Sequence, residues 1–483
     1  MPARARSAIE AGGLNMARVL FWMLIVTVAF APLPLASDRP GPEGLLAILV
    51  GAQLVLFALG TLFSRDLVKV PLRRYYWALL GFALLVGWFL VQQSSATPAA
   101  WHDAIWRDGG KILGVDLHGT MALDPQSARE TILRMITYAG VFFLSMQLCR
   151  PRERANTAVW SAVFIGLGYS LYGLYIYFHG NADVLWFTKY AYRSSLTSTF
   201  VNRNNFGTFV GMALIAALGV LFVQLENSLR YGLFNRAGFI HFMDTVNFKT
   251  FVLTGFAVVL ASTLLLTSSR GASIGTAVGV VTLVIADRLA RRQTTGAGQI
   301  RISLIAIAVF GALIFVLNGS NLIGRINDSA TENTREIVYS TVLHAITQHP
   351  WVGTGLGSFS EAFSRVRDAR LDSSDYIFDL AHNTYLELAF EIGLPAMALL
   401  LAILAGIVLT IARGVFVRRR DATFAAIGLG VTALAALHST VDFSLQMPGV
   451  TLYFAMILGL AFAQSYPTHE HQAVPGVRQS VRA

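Results

Sequence analysis

Long apolar runs alternate with polar connectors over most of the chain, and each run approaches the ~20 residues that carry a helix across hydrocarbon. Twelve runs predict membrane spans at about 16–36, 44–63, 75–92, 131–149, 156–178, 205–225, 250–269, 272–287, 302–317, 384–412, 422–440 and 449–465. Two connectors are long, 93–130 and 318–382. The second opens with polar "NGSNLIGRINDSATENTRE", continues through helix-like "IVYSTVLHAITQH", turns at "PWVGTGLGSF" and carries a charged, helix-like "SEAFSRVRDARLDSSDYIFDL". A loop of this length outside a bundle is more often functional than connective. The chain has no internal repeat, low-complexity tract or separate soluble domain. Residues 1–483 therefore read as one all-α, polytopic membrane domain, with 318–382 as a cap on its outer face and 466–483 as a short tail.

Composition agrees with the pattern. The 483 residues are 55% hydrophobic and only 13% charged, with a mean hydropathy of +0.58, whereas soluble domains carry about a quarter charged residues. Short cytoplasmic loops collect Lys and Arg. With the N-terminus inside, 23 of the 37 basic residues fall on the inner side and 13 on the outer, Arg134 lying within a span. The net charge of +10 is then a topology signal and gives no reason to invoke nucleic acid. Both termini are expected in the cytoplasm, and the first run is read as an uncleaved helix because its apolar stretch exceeds a signal core. The single cysteine, Cys149, reads as a small buried residue at an inner helix end, so disulfides do not brace the outer loops.

Charges at membrane depth are costly and usually face a cavity or a partner. Three segments put them at outer helix ends: "LLLTSSRGASIG" with Arg270, "TSTFVNRNNFGTFVG" with Asn202 and Arg203, and "LHSTVDFSLQMPG" with His438 and Asp442. Gly271 and Gly275 allow close helix packing beside Arg270. The "HN" of "AHNTYLELAFEIG", His382 and Asn383, falls on the same side, and Arg325 and Arg335 stand in the long loop. One interfacial arginine is commonly a snorkelling anchor. Their convergence points instead to an anionic ligand at the outer surface, because a guanidinium holds two phosphate oxygens and keeps its charge.

Other patterns have plainer readings. Asp368, Asp372, Asp375 and Asp379 would align on one helix face as a solvated acidic stripe partly paired with Arg365, Arg367 and Arg370. "GTGLGSF" follows no strand and reads as a tight turn. No phosphate-binding Walker sequence, "HExxH" zinc pattern or "GxSxG" elbow occurs.

The ordered set "SRGASIG", "TREIVYSTVLHAITQHPWVGTGLGSF" and "HNTYLELAFEIGLPA" resembles the O-antigen ligase and polymerase superfamily. "FVNRNNFGTFVGM" and "HSTVDFSLQMPG" resemble its exopolysaccharide and O-antigen polymerase-like branch. The resemblance runs from about Phe200 to Pro448, and the first five spans share only hydropathy. It implies a GT-C-like bundle of about 12 transmembrane helices with a helical periplasmic loop, in a bacterial inner membrane. It also implies a glycan donor carried on undecaprenyl diphosphate, transferred to a glycan or lipid A core acceptor without a cofactor. By matched motif it assigns His382 as the catalytic histidine and Arg270 and Arg335 to the diphosphate, with Arg203 as a third. Arg325 has no firm motif behind it. "NRNNF" replaces the "NRNHF" more usual in that branch, so Asn205 takes no histidine role.

The chemistry is self-consistent. The diphosphate is already a good leaving group, so arginines that compensate its charge make a metal and a general acid dispensable. An imidazole, with an ordinary pKa of about 6.5, suits removal of the acceptor proton. A single displacement would invert the sugar carbon. Asn383, Glu387 and Glu391 recur every four residues, but His382 lies about 140° from Glu387 on an ideal helix, which disfavours a relay within the helix. The glutamates are expected to pair with arginines of neighbouring helices, as supporting residues with Asn202, Asn383 and Asp442. Ligase and polymerase remain open. A protein O-oligosaccharyltransferase and a transporter or flippase of lipid-linked glycan are the alternatives, although a transporter should gather its polar groups at mid-membrane.

Overall fold

The computed structural model describes residues 3–228, 236–290, 329–371, 378–418 and 421–467. The expected span at 302–317, Arg325, Asp372, Asp375 and nearly all of the 466–483 tail lie outside the described residues. The chain opens with α1 (Ala3–Phe30), α2 (Pro40–Phe63) and α3 (Tyr76–Gln92), then a short amphipathic α4 (Ala104–Leu113). Helices α5 (Pro125–Leu148), α6 (Arg152–Phe178), α7 (Arg203–Ser228), α8 (Arg236–Thr245), α9 (Phe248–Leu266) and α10 (Arg270–Ala290) follow. A two-stranded hairpin, Asp183–Val184 against Phe187–Thr188, interrupts the loop before α7. The last part holds α11 (Ser329–Gln348), α12 (Phe359–Val366), α13 (Thr384–Ile392), α14 (Leu394–Val417), α15 (Thr423–His438) and α16 (Pro448–Gln464).

Among the described residues, α2, α5, α6, α7, α9, α10 and α14 are long and apolar enough to cross a membrane, and α3 joined to Arg65–Arg74 across an 80° bend would be an eighth. The apolar part of α1 (Asn15–Phe30), α15 and α16 are shorter. Within the described residues each expected run coincides with a helix, with one correction. The run expected as a single span at 384–412 is two helices. Gly393 adopts φ +79° and ψ 157°, which no side chain accepts readily, and Pro395 follows it at the start of α14. The histidine-bearing segment thus caps a separate short helix and does not open the span.

Two helices are wrapped by the others. Every residue of α16 is buried, and α7 is largely so; their surfaces are apolar all round because they meet protein on every side. Outward-facing Leu62, Phe63, Phe248 and Phe251 are by contrast more than 70% exposed, as a lipid-facing surface requires. Helices α10 and α15 approach closely through small residues: a Cβ on Gly279 would sit 2.6 Å from the Gly430 carbonyl, and one on Gly271 would sit 2.7 Å from the His438 ring. A second, smaller core joins α11, α12 and α13 through Val342, Phe359, Phe363 and Phe390. That core holds the cap over one end of the bundle.

The cap differs from the expected charged helix. Helix α12 stops at Val366, and Asp368 precedes a single 3-10 turn, Ala369–Leu371. Asp368 is taken by Arg370, with Nε 2.9 Å and Nη2 2.8 Å from its two oxygens. Asp379 lies in a non-helical stretch, so the described ends of the acidic stripe do not share a helix face. The tight-turn reading of "GTGLGSF" is borne out. Thr354 N–H and Gly355 N–H donate to the Phe390 and Glu391 carbonyls at 3.0 and 2.9 Å, pinning the turn to the end of α13.

Candidate functional site

Three of the charged segments meet in one buried network. Asn202 caps α7, accepting from the Asn204 N–H at 2.7 Å, which sets Arg203 at the first helical position. The Asn204 side chain then donates to Asp442 Oδ1 at 3.1 Å and accepts from Ser269 Oγ at 2.8 Å. It therefore ties "NRNNF" to "DFSLQ" and to the turn that presents Arg270 at the start of α10. Asp442 is fully buried and also accepts from Ser444 Oγ. Ser444 Oγ also lies 3.1 Å from Asn205 Oδ1. Thr208 Oγ1 lies 2.6 Å from His438 Nδ1, so the second histidine is engaged within the same network. Buried polar groups that satisfy one another in this way fix a single arrangement, because any broken link leaves a costly orphan.

The His382 segment docks on this network. Asn383 caps α13, its Oδ1 accepting from the N–H groups of Tyr385 and Leu386, both at 3.1 Å. Thr384 N–H donates to the Ser439 carbonyl and its hydroxyl to the Asp442 carbonyl, both at 2.9 Å. His382 itself has φ +54°, an unusual conformation for a non-glycine residue. Its neighbours hold it there. Tyr339 Oη donates to the His382 carbonyl at 2.9 Å, and the Ala381 N–H donates to Glu387 Oε2 at 2.7 Å. Burial keeps the imidazole pKa below its ordinary value; Asp442 opposes the shift and Arg335 adds to it. The ring's Nδ1 is buried and has no hydrogen-bond partner among the described residues.

Glu387 and Glu391 correct an expectation. Among the described residues neither pairs with an arginine. Glu387 also accepts from Gln446 Nε2 at 2.8 Å, and Glu391 accepts from the Phe359 N–H at 3.0 Å. Burial pushes both carboxyls upward, and Glu391 rises further beside Glu387. Their work is to hold main chain. Glu387 fixes the residue before His382 and not its ring, in keeping with the angle that disfavoured a relay.

A cavity of about 1310 Å³ opens beside His382. Its polar end is lined by His382, Asn202, Asn205, Thr384 and Glu387, and its apolar part by Phe142, Phe143, Leu400, Leu404, Ile407 and Leu458. Along α5 it extends from Ser127 to Met146, roughly 28 Å at 1.5 Å per residue, which is close to the ~30 Å of a bilayer's hydrocarbon core. Small-molecule pockets occupy about 300–1,000 Å³; this one is larger and elongated.

The arginines stand around the cavity more than in it. Arg203 reaches Ser195 Oγ at 3.3 Å and lies over the Tyr192 ring, 5.3 Å from its centroid; that ring lines the cavity. Arg270, half-buried, follows the serine that bonds Asn204. Arg335 is exposed on α11, one turn before the Tyr339 that holds His382, and borders a smaller hollow of about 430 Å³. The charged residues that do line the wide cavity include Asp38, Arg39, Glu130 and Arg134. Sequence reading missed the first three and left Arg134 as an exception within a span. Its only signal was that a charge in an apolar run normally faces something other than lipid. Gln446 and Tyr339 were also missed, since tethers to main chain leave no spacing pattern.

These features define a multi-pass helical membrane protein with a polar centre at one end of its bundle. Residues 255–401 match the family model described as O-antigen ligase. That stretch is thus similar to O-antigen ligase, which supports the superfamily resemblance drawn from the motifs. The match runs from within α9 through α13 to the start of α14, and so covers Arg270, Arg335 and His382. "NRNNF" and "DFSLQ" fall outside it, yet fold into the same network. No curated protein matches the chain.

Proposed function

We propose that this protein is an inner-membrane glycosyltransferase that moves glycan from undecaprenyl diphosphate to an acceptor hydroxyl at the periplasmic face. The observation that carries the reading is the position of His382, with a buried, unpartnered ring nitrogen, at the polar end of a membrane-length apolar cavity. The cavity is suited to a polyprenyl chain, and its polar end to the diphosphate and sugar. His382, held neutral by its surroundings, takes the proton of the acceptor hydroxyl. The acceptor oxygen bonds to the anomeric carbon while the bond to the diphosphate oxygen breaks, and the leaving group departs with that electron pair. Arg203, Arg270 and Arg335 compensate the charge it gains, assisted at α7 and α10 by the positive helix N-termini. Arg325 would join them from the outer loop. Displacement in one step inverts the sugar carbon and needs no metal.

Polymerisation onto a second lipid-linked repeat and ligation to lipid A core are both within this chemistry; the "NRNNF" and "DFSLQ" segments favour polymerisation. Purified protein with undecaprenyl-diphosphate-linked glycan and candidate acceptors, lipid-linked repeat, lipid A core and protein hydroxyls, should form a glycosidic bond with one of them. No bond with any acceptor, together with transbilayer movement of the donor in vesicles, would establish a flippase instead. Arg270→Lys keeps the charge and loses the planar fork, so turnover should fall about tenfold or more. Equal turnover would mean that a point charge suffices.

A further inference from the structure

The cavity has two chemically different walls. The His382 side is flanked by Arg270 and Arg335 from the family-matched part of the chain and by Arg203 from outside it. Other charged residues of the same lining come from the chain ahead of α6: Asp38 and Arg39 between α1 and α2, and Glu130 and Arg134 on α5. Arg134 is already compensated, with Nη1 3.4 Å from Glu43 Oε1 and Nη2 2.9 Å from Thr131 Oγ1. Asp38 and Glu130 line the cavity beside the guanidinium groups of Arg39 and Arg134, and Glu43, outside the lining, already neutralises Arg134. A wall of that balance does not attract a diphosphate. It does suit a polyol, whose hydroxyls donate to carboxylates and accept from guanidinium. Tyr190, 72% of it exposed, adds a flat ring to the same lining, an apolar face of the kind a sugar ring can cover.

The two walls are mechanically joined. One turn beyond Arg134, Tyr138 Oη donates to the Gln446 carbonyl at 3.1 Å. Gln446 holds Glu387, and Glu387 holds the residue before His382. The carboxylate wall is therefore kept in register with the histidine by a chain of hydrogen bonds.

We infer that Asp38, Arg39, Glu130 and Arg134, with Tyr190, form the acceptor subsite, which binds the sugar whose hydroxyl is presented to His382. This rests on the glycosyl-transfer reading above. It assigns a role to segments ahead of α7, which lie outside the family match: the segments bearing Arg203, Arg270, Arg335 and His382 hold the donor, and the earlier segments select what receives it.

The test uses full-length protein in detergent, saturating undecaprenyl-diphosphate-linked glycan, and two acceptor titrations, lipid A core oligosaccharide and lipid-linked repeat. Asp38→Asn and Glu130→Gln should raise the KM for whichever acceptor the unaltered protein uses by about tenfold, with the loss in KM more than in kcat. Binding of labelled undecaprenyl diphosphate should not change. An unchanged acceptor KM overturns the subsite, and weakened undecaprenyl diphosphate binding assigns this wall to the donor. Glu130 is exposed, so its variant carries the test alone if Asp38→Asn does not fold. If the unaltered protein transfers to neither acceptor nor to protein hydroxyls, the functional reading fails and the subsite with it; transfer to protein hydroxyls alone, or transfer with unaffected variants, removes the subsite alone.

Discussion

His382 combines a left-handed backbone, a tethered carbonyl and a ring nitrogen left without a partner. Residues held in such conformations cost about 1–3 kcal/mol and persist where their surroundings over-determine them. His382→Ala should abolish transfer while leaving thermal unfolding in detergent near that of the unaltered protein; near-normal turnover would exclude it as the base. Because burial and Arg335 disfavour the imidazolium, the base is deprotonated at neutral pH and activity should fall only on acidification, with a midpoint below 6.5. Arg335→Gln removes a repelling charge while Asp442 stays, so that midpoint should move upward in a pH profile of kcat/KM. Glu387 acts through main chain. Glu387→Leu strands the Ala381 N–H and the Gln446 amide, each orphan costing about 1–3 kcal/mol. Both unfolding temperature and turnover should drop, whereas Glu387→Gln, with one carbonyl left for Ala381, should retain the fold.

The decisive element is the break between α13 and α14. As one helix, 384–412 would have carried its first turns into the bundle's apolar layer along with two glutamates. The break at Gly393 lets α13 pack under the cap against α11, and Glu387 and Glu391 then satisfy main-chain donors there. A Cβ at Gly393 would sit 2.5 Å from the Trp351 carbonyl oxygen, in a backbone conformation that already excludes L side chains. Gly393→Ala should therefore destabilise by a few kcal/mol and lower transfer in parallel, measurable as a lower unfolding temperature and reduced turnover. An alanine variant as stable and active as the parent would show that the break is incidental. Hydropathy could not reveal this element, since nine apolar-patterned residues before a glycine look like the start of the span that follows.

At the scale of the whole molecule, the cavity joins a polar centre to an apolar channel along α5. Ala139 lines its middle, so Ala139→Trp should obstruct the lower part without touching the His382 end. Transfer from an undecaprenyl diphosphate donor should fall severalfold more than transfer from a farnesyl diphosphate donor, whose short chain ends higher. Equal losses for both donors would mean that the channel does not hold the lipid.

Much of this architecture was legible in the chain. Spans follow from hydropathy because lipid leaves backbone groups no partner but their own helix, and the residues "NRNN", "SSRG", "HSTVD" and "HN" were conspicuous because charge and amide groups are rare at such depth. The acidic helix stripe and the Glu–Arg pairs were misread, since spacing reports which residues could share a face and not whether the helix continues or a backbone N–H competes for the carboxylate. The sequence by itself determined a many-helix membrane protein with a segment similar to O-antigen ligase, and the identity of its unusual residues. Tertiary structure alone decided that Asn204 bridges Ser269 and Asp442, that Glu387 holds the segment bearing His382, and that Asp38, Arg39, Glu130 and Arg134 share a cavity with that histidine. Apart from the local Ala381–Glu387 bond, these join residues tens to hundreds of positions apart, and only the packing of the helices brings them together.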